Sequence, residues 1–228
     1  MTDNGFDTSF FEFFVNLTHN NDRGWFQEHK QDYERAVVLP MQAFIMAMAP
    51  MLEALSPHFV ADPRKNGGSM FRIYRDTRFA KDKTPYKTHA AVNFRHVAGK
   101  DVHAPGFYMH ASLEGLMVGM GIWHPPTPAL AEIRQALDED PKGWLAARDH
   151  PAFRESFKLE GESLKRPPKG YSADHPLLED LKRKDFCGMR KFDSQRLIEP
   201  GLAEEVAASF ERGLPLMKFL CKALDVPF

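Results

Sequence analysis

Cysteine is nearly missing from this sequence. Cys187 and Cys221 are the two that occur in 228 residues, far apart and with no Cys-x-x-Cys spacing. That excludes a disulfide scaffold or a thiolate zinc knot, and a reducing cytoplasm is the expected setting. Unbroken apolar runs of the roughly 18–20 residues that a membrane span needs are also lacking. The opening Met-Thr-Asp-Asn-Gly has neither the basic start nor the apolar stretch of a signal peptide. No membrane partner is therefore expected. Net charge is small as well, -1 with a pI near 6.8, which argues against a generally basic nucleic-acid binder. Several chemical signatures are absent: no glycine-rich dinucleotide fingerprint follows a strand, no Gly-x-Ser-x-Gly elbow occurs, and there is no His-Glu-x-x-His. Gly67-Gly68-Ser69 resembles an anion-binding turn but lacks a P-loop lysine at the required spacing. No cofactor and no metal are expected.

What is present points to a packed protein. Hydrophobic residues make up 43% and aromatics 12%, with 19 phenylalanines, enough for a sizeable core and too much for general disorder. The N-terminal third reads as helical. Phe10, Phe13, Phe14 and Leu17 recur at helical spacing behind Ser9 as N-cap. A second helix is expected from Asp22, and a third with Pro40 in its first turn and a stripe of Met41, Phe44, Ile45, Met48 and Leu52. The middle changes period. Ala90, Val92 and Phe94 alternate with smaller and polar residues as in a half-buried strand. Residues 106–112 and 115–123 follow as a hairpin closed near Gly115. Gly119 and Gly121 fall on the face opposite Leu116, Val118 and Met120, where something bulky can lie close to the backbone. Met70 to Tyr74 reads as a further strand, and Phe186 to Phe192 as a strand or extended segment. Helices return after Pro126, from Asp174 to about Lys182, and as a pair or one bent helix over 200–224, near Gly213. The expectation is one α+β domain over residues 1–228, with a central antiparallel sheet of about four or five strands packed by N-terminal, middle and C-terminal helices.

Charge is unevenly placed along this nearly neutral chain. Residues 1–63 carry a net -6, whereas residues 64–100 carry +8. The positive segment holds Arg72, Arg75, Arg78, Lys81, Lys83 and Lys87 within sixteen residues. Arginine forks suit carboxylate and phosphate oxygens, so Arg72, Arg75, Arg78, Lys83 and Lys87 are candidate anion-binding residues. Asp76 and Tyr86 are candidates for orienting them or the ligand. The competing reading is structural: the same arginines can tie the sheet to the acidic N-terminal helices through ion pairs. A second basic loop, Lys182-Arg183-Lys184, reads either as a contact to phosphate or nucleic acid or as a solvated helix end.

The run Arg72-x-x-Arg75-Asp76-x-Arg78-Phe79-x-x-Asp82-Lys83-x-x-Tyr86 resembles the signature of a bacterial family, the domain of unknown function 2461. Phe13 to Phe26, Gly121-Ile122-Trp123 and the stretch from Pro168-Lys169-Gly170-Tyr171 to Asp185-Phe186 are similar to it too. The resemblance covers about residues 8–224. It implies a small intracellular single-domain protein with the arginine motif as a hallmark, and it implies no reaction, ligand or catalytic residue.

The ten histidines give no chelating spacing. His89 and His96, like His103 and His110, are seven apart, which places each pair on opposite faces of a strand. His89, His110 and His124 can meet across strands, near Asp101 or Glu114. Cys187 lies next to a basic run that can lower its pKa, although burial beside Phe186 favours an inert thiol. The sequence thus leaves three functions standing: a protein, catalytic or not, that holds a phosphate- or carboxylate-bearing small molecule; a scaffold or protein-interaction module; and, last, a nucleic-acid-associated protein. Enzymatic activity and oligomeric state are not legible.

Overall fold

The computed structural model describes residues 6–99 and 104–228. The chain is α+β, built on one six-stranded antiparallel sheet in the order β1-β2-β3-β4-β6-β5. Its strands are β1 (Phe59–Val60), β2 (His89–His96), β3 (Gly106–Ser112), β4 (Gly115–Ile122), β5 (Lys158–Glu160) and β6 (Phe186–Phe192). The sheet is slightly larger than the four or five strands expected. The additions, β1 and β5, are two and three residues long, too short to show an alternating pattern. The stretch from Met70 to Tyr74, expected as a strand, makes only isolated bridges, Met70 to Val92 and Tyr74 to Tyr86.

The N-terminal helices are α1 (Thr8–His19), α2 (Arg23–Glu28), α3 (Lys30–Tyr33) and α4 (Leu39–Leu55), with a π-helical turn over Glu34–Val38 joining α3 to α4. Asp7, not Ser9, caps α1, its side chain accepting from the Ser9 N–H. Asp22 caps α2 in the same way through Trp25. Pro40 lies in the first turn of α4, as expected, although α4 runs on from the helical residues before it. The π turn immediately before it shifts the hydrogen bond of the Leu39 N–H to Glu34 and carries the helix on. The resulting run Lys30–Leu55 is long and apolar enough to cross a membrane, contrary to the sequence reading, although half of its apolar window is buried in the core.

The remaining helices are α5 (Thr127–Glu139), α6 (Pro141–Arg148), α7 (Pro151–Ser156), α8 (Leu178–Leu181), α9 (Leu202–Arg212) and α10 (Leu214–Ala223). The helix expected from Asp174 is shortened to one turn, α8, without a side-chain cap. Helices α9 and α10 meet at Gly213. A β-carbon there would fall 1.6 Å from the sulfur of Met120, so the sheet's own methionine fills the bend.

Helices cover one face of the sheet. Val92, Phe94, Phe107, Met109, Leu116, Val118 and Met120 point into it and are buried. Phe210 of α9 lies 4.6 Å from the Phe107 ring, and Phe44 of α4 lies 6.4 Å from Phe94. Burying one such ring stabilises the fold by about 1.5–3 kcal/mol. The opposite face carries His89, Ala91 and Asn93 of β2, Gly106, Tyr108 and His110 of β3, and Met117, Gly119 and Gly121 of β4. No helix lies on that face among the described residues that line it, and this is where the site forms.

Candidate functional site

The arginine motif runs along the free edge of β2. The Phe71 N–H donates to the Ala91 carbonyl at 2.9 Å, and the Asn93 N–H donates to the Ser69 carbonyl at 2.8 Å. This docking explains why β2 is buried on both faces, where alternation alone predicted half-burial. Beyond Ile73 the chain leaves the sheet, folds over residues 76–84 and returns. The Arg75 N–H bonds the Pro85 carbonyl, and the Lys87 N–H bonds the Ile73 carbonyl. Tyr86 anchors the returning limb. Its ring stacks on Phe26 at 4.1 Å, and its backbone exchanges two hydrogen bonds with the Asn21 side chain.

The motif's cations divide into two groups. Arg75 is satisfied within the loop, bonding Asp82 at 2.5 Å and the Thr84 hydroxyl. Arg78 forks onto Asp76, with contacts of 2.9 and 2.6 Å. The Lys83 ammonium donates to the Thr77 carbonyl at 2.8 Å. These bonds hold the carboxyls of Asp76 and Asp82 down at about 2. The main cause is the Arg78 side chain for Asp76 and the Thr84 N–H, then Arg75, for Asp82. Phe79, at the loop's tip, is 94% exposed.

Arg72 and Lys87 face elsewhere. Both line a groove of about 520 Å³ on the open face of the sheet. The Lys87 ammonium donates to the Arg72 carbonyl at 2.9 Å and sits 5.5 Å over the Phe71 ring. Burial, then the charge of Arg72, lowers its pKa. The Arg72 guanidinium makes no ion pair or hydrogen bond among the described residues. So the structure brings two of the five candidate cations together and turns Arg75, Arg78 and Lys83 into local ties. Asp76 and Tyr86 do not reach the groove.

His89, which the sequence allowed to meet His110 across strands, Gly121 and Cys187 line the groove together with residues not singled out from sequence, Tyr108, Asn93 and Met189 among them. His89 stacks on His110 with ring centres 4.2 Å apart, and the His110 Nδ1 lies 3.2 Å from the Tyr108 hydroxyl. Burial brings the His89 imidazole down to about 4, helped by His110 and Lys87, and it lowers His110 too. Burial also pushes the Tyr108 hydroxyl up to about 12. Both imidazoles are therefore neutral near pH 7 and present one donor and one acceptor each. Asn93 is 8% exposed, and its amide lies against Gly106 without a hydrogen bond among the described residues. One sequence signal pointed there: Asn93 is the polar residue in Ala-Ala-Val-Asn-Phe. Gly106 and Gly121 face each other across β3 and β4, with the Asn93 amide oxygen over Gly106 and the Phe186 carbonyl close against Gly121. Over Gly119 lies the thioether of Met189, where a β-carbon would fall 2.5 Å from its sulfur. Trp123, Glu160 and Cys187 close the far end.

The far rim hangs from one buried carboxylate. Asp185 accepts the His124 N–H at 2.6 Å and the Glu162 N–H at 2.8 Å. Cys187 stands next to it, and its thiol is pushed up to about 12 by burial and by the charges of Asp185 and Glu160. The neighbouring basic loop does not lower it, because those cations are already engaged. Lys182 pairs with Glu179 and Lys184 with Glu162, both at 2.8 Å, while Arg183 approaches Asp180 at 3.5 Å. Among the described residues no three His, Cys, Asp or Glu side chains cluster to hold a metal ion. His103 and Asp101 lie outside the described residues.

No curated protein and no solved structure matches the chain. A family model described as Conserved hypothetical protein (DUF2461) matches residues 9–219, nearly the whole length, and so spans the sheet, its helices and both ends of the groove. The chain belongs to that family.

Proposed function

We propose that the groove on the open face of the sheet binds an anionic small molecule, with Arg72 and Lys87 taking its carboxylate or phosphate. One observation carries this reading. Arg72 is the arginine of the motif that no protein acid satisfies among the described residues, and it lines a groove large enough for a ligand. A guanidinium forks naturally onto a carboxylate or phosphate, and each charge-assisted bond contributes about 1.5–3 kcal/mol. The ammonium of Lys87 adds a second donor beside it. Glu160 at the other end disfavours acid groups there and gives the groove a direction. Two free cysteines accord with a reducing, cytoplasmic setting for such a protein.

The scaffold reading holds for the other half of the motif. Arg75, bonded to Asp82 and Thr84, and Tyr86, clamped by Asn21 and Phe26, shape the loop and fasten it to the N-terminal helices. The nucleic-acid reading loses weight, because Lys182, Arg183 and Lys184 each face a protein carboxylate.

A thermal-shift series tests the proposal. An acid present at about 100 times its dissociation constant stabilises the fold by about 2.7 kcal/mol, a rise of roughly 5–11 °C for a chain of this size. Arg72→Ala is expected to weaken binding about 10- to 150-fold and reduce that rise to about half or less. Arg78→Ala is expected to keep it in full. Loss in Arg78→Ala with retention in Arg72→Ala would place the anion on the loop and refute the groove.

A further inference from the structure

The groove is longer than an acid group needs. Its cationic end lies by His89, and its far end lies at Gly121, the register partner of Gly106, which in turn faces Arg95. Six residues of β2 therefore separate the two ends, roughly 20 Å at the strand rise. A phosphate ion or a two-carbon acid would occupy one end and leave the remainder open to water.

The groove is not uniformly apolar either. Asn93, nine-tenths buried and midway along β2, directs into it an amide that has no hydrogen-bond partner among the described residues. Its neighbour across the strand pair is Tyr108. A site that offers such an amide to a ligand discriminates strongly for one that satisfies it. Level with Asn93 across the sheet stands the Met189 thioether, and past it Trp123 lines the end of the groove beside Gly121. Rings and sulfur atoms of this kind favour a flat, polarizable body.

Building on the anion-binding reading, we infer that the ligand is an elongated organic acid with three parts in order. An acid head sits on Arg72 and Lys87, a hydrogen-bonding group such as an amide meets Asn93 midway, and an apolar ring lies beside Met189 and Trp123. A plain fatty acid lacks the second part, and a short acid lacks the second and third.

Three probes of equal charge separate these cases: acetate, decanoate and N-benzoyl-phenylalanine. Binding to the wild-type protein is measured by calorimetry and by thermal shift. N-benzoyl-phenylalanine is expected to bind at least tenfold more tightly than decanoate, and acetate weakest. Asn93→Leu, a change into the groove, is expected to reverse the first two, with Asn93→Ser as a smaller substitution that also removes the amide. Equal or tighter binding of decanoate to the wild-type protein would overturn the inference while leaving the anion site standing, and so would an unchanged ranking in both variants. Absence of binding by all three acids would overturn both readings.

Discussion

Asp185 offers a demanding test of how the site is held. It is fully buried, and its two carboxylate oxygens accept the backbone N–H groups of His124 and Glu162 at 2.6 and 2.8 Å. One side chain therefore suspends both rims at the far end of the groove, the turn after β4 and the turn after β5. Hydrogen bonds to an ionised acceptor contribute about 1.5–3 kcal/mol each. His124 and Glu162 are exposed, so water can replace part of that in a truncated variant. Asp185→Ala is expected to cost about 3–5 kcal/mol, a fall of roughly 6–20 °C in the unfolding midpoint. Asp185→Asn is the sharper perturbation. It preserves size and one oxygen, but turns an NH2 donor toward a backbone N–H donor, so its cost is expected to approach that of alanine. Urea unfolding followed by circular dichroism measures both, with an unchanged slope expected for a change in stability alone. An Asp185→Asn protein within about 1 kcal/mol of wild type would refute the two-armed clamp.

Gly213→Ala is expected to destabilise by about 1–3 kcal/mol, because the added carbon meets Met120 at the α9–α10 bend, and in a Met120→Ala background the same substitution should cost much less. Independent, additive effects in that cycle would show the contact to be irrelevant. Protonation of His89 sets a pH window for stability. Its pKa falls from 6.5 to about 4 on folding, so the unfolded chain binds the extra proton between those values. Stability is complete above pH 6.5 and declines as pH falls toward 4, by on the order of 2 kcal/mol after allowance for solvent screening. His89→Gln should flatten that part of the pH profile, and an unchanged slope would remove the assignment. Cys187 and Cys221, both raised to about 12 by burial, are expected to react with thiol reagents at pH 7 far more slowly than a free thiol, and rapid labelling of the native protein would contradict their placement.

Local pattern accounts for much of the architecture. The α1 stripe of Phe10, Phe13, Phe14 and Leu17 is buried as its spacing predicts. The β3–β4 hairpin closes at Gly115, whose φ of +154° suits glycine. Gly119 and Gly121 fall on the face away from the core, where the Met189 thioether lies over Gly119 and the Phe186 carbonyl closes on Gly121. β1 and β5 were not readable, because two or three residues have no period and exist as strands only against β2 and β6. The shortened α8 reflects the same limit, since a capping residue and two leucines do not decide how far a turn propagates.

The site divides along the same line. Sequence alone determined that positive charge gathers in residues 64–100, that its residue types suit an acid, and that other groups lie close against the β4 glycines. It could not determine which cations stay available, because Arg75, Arg78 and Lys83 are engaged by groups that only the loop's closure brings near. It could not place Asn93, His89, Tyr108 and Trp123 on one surface, because they come from different strands and their proximity follows from register. Periodicity reports which face of an element is buried. What gathers on the opposite face depends on which strands become neighbours, and that is set by tertiary packing.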